Sequence, residues 1–233
     1  MSVEATCDRH LLARPATWTQ APMLAIVSSL EDPDGRNRVQ VRLIGADGSD
    51  RQDAPLWARV VCPFAGSDRG AFLMPDVDDE VLVVFQNGDP RFPLVIGGLW
   101  NGASAPPADL QGGANTLKMI RSRRGVTLSL DDSEGQESFT VETPGGQRLT
   151  LSDGPGAITI EDSHGNSASF EAAGVTLSAS AKVTVQASTV EVSSGLVTVD
   201  AGMSKFSGVV KCDTLITNAV VSSSYTPGAG NVW

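Results

Sequence analysis

Apolar residues at alternate positions, separated by small polar turns, recur through most of this chain, and toward its C-terminal end they settle into a short fixed period. The pairs Val175/Leu177, Val183/Val185, Val190/Val192 and Val197/Val199 each flank one polar residue, and successive pairs start 8, 7 and 7 residues apart. Side chains in a strand alternate between faces, so each pair predicts a short strand with one apolar and one polar face. A fixed short period marks a quasi-one-dimensional fold, in which each unit covers its apolar face only against its neighbours. Such a fold makes a rod and not a pocket.

Upstream, the alternation predicts two further regions. Residues 1–22 read as an irregular N-terminal arm with Pro15 and Pro22. Residues 23–103 then carry strand patterns at Leu24–Val27, Val39–Leu43, Leu56–Val61, Val81–Phe85 and Pro93–Gly97. Turn signals sit at Asp34-Gly35 and Asn87–Pro90, and a polar loop spans Gly45–Pro55. The run Val81–Phe85 reads as buried on both faces. Five strands in about 80 residues with one long loop suit a small closed barrel of the OB type. Residues 104–117, with Pro106-Pro107 and Gly112-Gly113, read as an extended linker. From Lys118 to residue 233 the alternation resumes as Val126/Leu128/Leu130, Phe139/Val141, Leu149/Leu151, Ile158/Ile160 and Phe170, with glycine-containing turns between. Past the regular ladder, Phe206, Val209-Val210, Leu215-Ile216 and Val220-Val221 continue it less evenly, before a small polar tail ending on Trp233. The fold class is therefore all-β.

Composition narrows the function more than the fold. The chain has 233 residues and a net charge of −10, and neither half is basic, which argues against nucleic acid as a partner. Aromatic residues are only 5% of the chain, and Trp57, Phe85, Phe92 and Trp100 fall at strand-like core or interface positions. No apolar stretch approaches the ~20 residues of a membrane span, and Met1–Gln20 has no basic start followed by an apolar run. These features predict synthesis in a cytoplasm without a signal peptide. Cys7, Cys62 and Cys212 are distant in sequence and read as free thiols.

Two apolar residues per rung are too few to enclose a core if the strands lie in a flat sheet, and the open edges would invite aggregation. One chain could coil on itself with three rungs per turn, or three chains could wind around one axis. Both need the observed pattern. A single-chain coil would carry capping elements, and the absence of an amphipathic capping helix favours three chains.

The segments Trp57–Val61, Ala65–Gly70, Met74–Phe85, Gly88–Pro90 and Pro93–Asn101 together resemble the OB-type domain of phage baseplate protein V and of the VgrG spikes of type VI secretion and related contractile injection systems. Lys118–Gly125 followed by Leu128–Asp132 resembles the neck that opens the needle in that family. The resemblance covers most of residues 23–200 with the motif order intact. It implies an OB-fold barrel followed by a trimeric triple-stranded β-helix, in a homotrimer at the centre of a baseplate that is driven through a target envelope. The trimer core would be Val175, Leu177, Val183, Val185, Val190, Val192, Val197 and Val199. With 22 residues before the barrel, the hub is expected as a separate protein, and residues 104–117 leave no room for a lysozyme insertion. The two histidines, His10 and His164, lie far from the C-terminus, so no metal-binding apex is expected. A separate PAAR-type tip protein would then dock on Thr226, Pro227, Gly228, Asn231 and Trp233.

Three clusters offer other chemistry. Asp76, Asp78, Asp79 and Glu80 supply oxygen ligands of the kind calcium takes, but they precede a strand and read as its turn. Asp131, Asp132 and Glu134, like Glu161, Asp162 and His164, could be paired carboxylates for glycoside cleavage; without aromatic sugar platforms they read as loop residues. Arg121, Arg123 and Arg124 form the densest basic patch and read as a solvated neck. The expectation is a structural spike with no cofactor, no metal and no catalytic residues, touching the target membrane only transiently. The alternative is a single-chain β-helix enzyme or adhesin acting on a cell-surface polysaccharide.

Overall fold

The computed structural model describes residues 21–45, 55–154 and 157–224. The N-terminal arm and the tip-docking residues Thr226, Pro227, Gly228, Asn231 and Trp233 lie outside the described residues. The chain divides after Ser180 into two compact units.

The first unit opens with a closed five-stranded barrel. Its strands are β1 (Met23–Ser29), β2 (Val39–Leu43), β3 (Leu56–Val60), β6 (Glu80–Phe85) and β7 (Pro93–Leu99). They close in the order β1-β2-β3-β7-β6, antiparallel except for the parallel pair β3–β7. Between β3 and β6 a short hairpin, β4 (Ala65–Gly66) and β5 (Arg69–Gly70), stands apart from the barrel. Alternation dictates the core: Ala25, Val27, Val39, Val41, Ala58, Val81, Val83 and Val95 point inward and are fully buried. The core consists of small residues because a five-stranded barrel leaves little interior. Leu82 and Val84 are half-buried, so β6 has one core face and one partly covered face, not two buried ones as its apolar run suggests. Register shifts at Val27/Ser29 in β1 and Leu82/Val83 against β7 add the local bend that closure needs.

The β1–β2 connection is built on one carboxylate. Asp32 accepts the backbone N–H groups of Asp34, Arg36 and Arg38 (3.1, 2.9 and 3.1 Å) and both Nε and Nη2 of Arg38 (3.1 and 2.6 Å). The side-chain hydrogen bonds from Arg38, with the backbone donors, hold the Asp32 carboxyl well below the usual carboxylate range. The Arg38 guanidinium also lies 5.9 Å from the Trp57 ring centroid, which ties this loop to β3.

After the barrel the same unit continues as a seven-stranded antiparallel meander. Its strands are β8 (Leu117–Arg121), β9 (Thr127–Asp131), β10 (Ser138–Glu142), β11 (Arg148–Ser152), β12 (Ala157–Glu161), β13 (Ser167–Glu171) and β14 (Gly174–Ser178). Each strand pairs with its sequence neighbours in the same chain. The turns carry the expected glycines: Gly125, Gly135, Gly146 and Gly165 all have positive φ, between 71° and 90°. No helix among the described residues is long and apolar enough to cross a membrane.

Candidate trimerisation surface

The register of the meander turns the sequence alternation into rows. One row runs Ile120–Leu128–Val141–Leu149–Ile160–Ala168–Leu177 across all seven strands, each residue directly opposite the next. Two positions along, on the same face, a second row runs Lys118–Leu130–Phe139–Leu151–Ile158–Phe170–Val175. The opposite face carries Met119, Ser129, Thr140, Thr150, Thr159, Ser169 and Thr176. One face is thus largely apolar and the other mostly hydroxyl-bearing, and among the described residues the apolar one is only partly covered, with Leu128, Phe139, Val141 and Leu149 half-buried. Ile120, Leu130, Leu151, Ile158, Ile160, Phe170, Val175 and Leu177 all remain exposed. An exposed apolar face of this length, ending at an open strand edge, marks an interface.

The second unit shows the same need more strongly. Residues 181–224 form no helix or strand and pair with no strand among the described residues, and every side chain is exposed. The backbone bends at Ala181, Ser188, Gly195 and Gly202, a seven-residue step. Val183/Val185, Val190/Val192 and Val197/Val199 occupy the second and fourth positions after a bend each time. A chain in this conformation leaves its backbone donors and acceptors to be satisfied from outside, and neighbouring strands do that best. Val175 and Leu177 instead sit in β14 and close the two rows of the sheet. The eight residues assigned to a trimer core therefore fall into two settings, two at a sheet edge and six on bent extended chain.

The remaining sequence candidates are loop chemistry. Asp76–Asp79 is the turn before β6: the Asp76 N–H donates to Asp79 Oδ2 at 2.8 Å, while the Asp78 N–H donates to the Val27 carbonyl and the Asp79 carbonyl accepts from the Val27 N–H. Asp131 accepts both the N–H and Oγ–H of Ser133 (2.9 and 2.6 Å), led by the hydroxyl, and is held below its ordinary pKa. Asp162 is lowered first by the Asn166 side chain and then by backbone N–H groups of Asn166 and His164. The Asp79, Asp131 and Asp162 carboxylates thus accept hydrogen bonds from inside their own turns. Arg123 reaches Asp76 only at 3.8 Å, and the Arg121–Arg124 patch lies at the β8–β9 turn. Cys62 and Cys212 are free thiols.

Phe85 packs against the barrel core, while Phe92 and Trp100, which flank β7 on either side, are exposed in the single chain, as an interface position would be. Sequence reasoning also passed over Phe64, Phe72 and Leu73, three exposed apolar residues around the β4–β5 hairpin that was read only as a glycine-rich stretch. Phe72 and Leu73 join Val60, Met74, Ile120 and Leu128 in lining an open groove of ≈ 760 Å³ where the barrel meets the first strands of the meander.

Comparison with known proteins follows the same division. Residues 23–100 match the injector OB domain of type VI secretion systems and phage baseplates, and residues 138–198 match the phage baseplate V C-terminal trimerisation domain. The chain belongs to this baseplate spike family. Among curated relatives, a Pseudomonas aeruginosa type VI secretion system spike protein, VgrG1b, is 26% identical over 61% of this chain and 21% of its own length. A second from that organism, VgrG4b, is 34% identical over 47% of this chain and 14% of its own length. The Vibrio cholerae actin cross-linking toxin VgrG1 is 28% identical over 54% of this chain and 12% of its own. The chain thus spans about a fifth or less of these relatives. The trimerisation match begins at β10 and ends within the Val197/Val199 rung, so it covers the apolar rows from β10 onward and the seven-residue ladder up to Thr198.

Proposed function

We propose that this protein is the homotrimeric central spike of a contractile injection system or phage-tail baseplate, which pierces a target envelope when the machine fires. The observation that carries this is the exposed apolar face of the meander together with the bent ladder beyond it, unpaired among the described residues, most of both lying inside a trimerisation-domain match. The mechanism is geometric. Three chains winding about one axis would turn Val183 to Val199 inward and pair every backbone strand with a neighbouring chain. A needle with no free edge has no point at which axial load can start to fray it. Its outward Thr, Ser, Glu and Lys side chains would let it pass a membrane without partitioning into lipid. The domains follow as a 23–103 barrel for attachment and a 118–233 needle for penetration, joined by the 104–117 linker.

We also assign a hub protein to the barrel end and a PAAR-type tip protein to Thr226, Pro227, Gly228, Asn231 and Trp233; family resemblance supports both partners. No catalytic role is assigned to any residue. The work is mechanical, and of the carboxylates that could suggest hydrolysis Asp131 and Asp162 are engaged in their own turns and Asp132 with Lys118. Deleting the gene in the producing cell and imaging the particles by negative stain tests the role. Particles lacking a central spike, or failing to assemble a baseplate, are expected. Intact particles with unchanged killing or infection would overturn it.

A further inference from the structure

The stretch after Gly202 looks irregular in sequence because its apolar residues come as adjacent pairs, which fits no strand face. The backbone is more regular than that. After Gly202 the bends fall at Gly208, Asp213, Asn218 and Ser223, so that past Gly208 the step is five residues instead of seven. The position two residues after each bend is again apolar: Val210, Leu215 and Val220. These three keep 63, 71 and 62% of their surface, whereas their neighbours Val209, Ile216 and Val221 keep 97, 93 and 100%. One member of each adjacent pair is partly sheltered on the inner side of the bends, and the other points away.

The fourth position after the bend, the second core position of a seven-residue rung, becomes in a five-residue rung the residue just before the next bend. Cys212, Thr217 and Ser222 stand there. Thr217 Oγ1 donates to the Ala219 carbonyl at 3.1 Å and Ser222 Oγ to the Ser224 carbonyl, each spanning a bend. Ser194 makes the same bridge to the Leu196 carbonyl at 3.0 Å across the Gly195 bend of the seven-residue region. The same side-chain brace therefore serves both steps, which makes the five-residue segment a continuation of one structure. Ser204 and Phe206 form the rung between them, and Gly208, with φ of 122°, stands where the step changes.

We infer that residues 209–224 extend the contact between copies of this chain beyond the matched trimerisation region, as a narrower needle segment with five-residue sides and one axial side chain per rung: Val210, Leu215 and Val220. The inference rests on the homotrimer reading. At ~3.3 Å per residue, a side shortens from ~23 Å to ~17 Å at this step. A core of one residue per rung fits the smaller section, and at the Asn218 and Ser223 corners a hydroxyl brace takes the place of the second core residue, while Cys212 stands at the Asp213 corner. Continuity sets a second copy of this chain as the occupant of the apolar side, since the position two residues after the bend is apolar in every rung from Val183 to Val220 except at Ser204, where the step changes.

Disulfide trapping in the full chain, with Cys7, Cys62 and Cys212 changed to serine, tests this. Single cysteines at Val190, Val210, Leu215, Thr217, Ile216 and Val221 are oxidised with copper phenanthroline and run on boiled denaturing gels. Thiols facing one threefold axis bridge in pairs, so Val190→Cys, Val210→Cys and Leu215→Cys should each convert up to two of every three chains to covalent dimer. Ile216→Cys, Val221→Cys and Thr217→Cys should stay monomeric on the same gel. Cross-linking at Val190 but not at Val210 and Leu215, or equal cross-linking at Leu215 and Ile216, overturns the five-residue needle while leaving the trimer standing. No cross-linking at any position, with a native mass of one chain, overturns the trimer reading itself.

Discussion

Val190→Asp is the sharpest perturbation of the needle. Val190 retains 62% of its surface in the single chain, and full burial of a valine stabilises by ~1.5–3 kcal/mol, so assembly gains about 1–2 kcal/mol per copy at this position. Aspartate forfeits that gain and places three carboxylates around one axis. Each loses its water at a cost of several kcal/mol. At separations of ~6 Å and an effective dielectric near ~20, each pair also repels by ~3 kcal/mol. The loss is on the order of 10 kcal/mol per trimer, comparable to the whole stability of a typical domain. Val190→Ala removes ~1 kcal/mol per copy and should still assemble. Thr189→Asp, one residue along and on the other face, should stay within ~0.5 kcal/mol per copy. The assay is an unboiled denaturing gel beside a thermal melt of all three variants. Trimer lost in Val190→Asp alone is expected. A resistant trimer for Val190→Asp, or its loss in Thr189→Asp instead, would refute the assignment of rung faces.

Other predictions concern the first unit. Asp32 has a depressed folded pKa, so the stability it contributes is present above its unfolded value near ~4 and is lost as pH falls through the lower folded value; Asp32→Asn should therefore lower the melting temperature at pH 7, with the gap from wild type closing under acid conditions. Val83→Ala in the fully buried barrel core should cost ~2–3 kcal/mol in chemical denaturation, from lost burial plus a cavity that strands cannot easily close. Gly125→Ala forces a side chain into a backbone at φ of 90° and brings Cβ to 3.3 Å from Pro144 Cγ, so ~1–2 kcal/mol should be lost from the meander, read by hydrogen exchange at the β8–β9 turn. A glycan-cleavage assay across bacterial surface polysaccharides should show no turnover; activity abolished by Asp162→Asn would favour the enzyme alternative.

How much was legible in the sequence depended on whether a feature is local. The barrel strands were, because Val39/Val41 and Val81/Val83 alternate cleanly and an inward residue at every second position leaves one register. The two apolar rows of the meander were also implied, since pairs such as Leu149/Leu151 and Ile158/Ile160 recur between glycine turns. That these rungs pair with their own neighbours up to Ser178, and with no described strand after it, was not legible. Hairpin and needle rungs share the same alternation, and only the loop lengths differ. The Asp32 anchor was missed because an aspartate before Asp34-Gly35 looks like ordinary turn composition, while its role depends on Arg38 folding back. The five-residue rungs were missed for a related reason. Val209-Val210 and Leu215-Ile216 break alternation in sequence, and only the bends show that one of each pair faces in.

The number of chains in the native particle decides between a shared needle and a chain closed on itself. Light scattering on the purified protein, eluted at several concentrations, should give three times the 24.3 kDa of one chain, unchanged on dilution. A mass of one chain, with the Val183 to Val199 ladder protected from hydrogen exchange in that monomer, would show that the chain closes on itself and would contradict the spike.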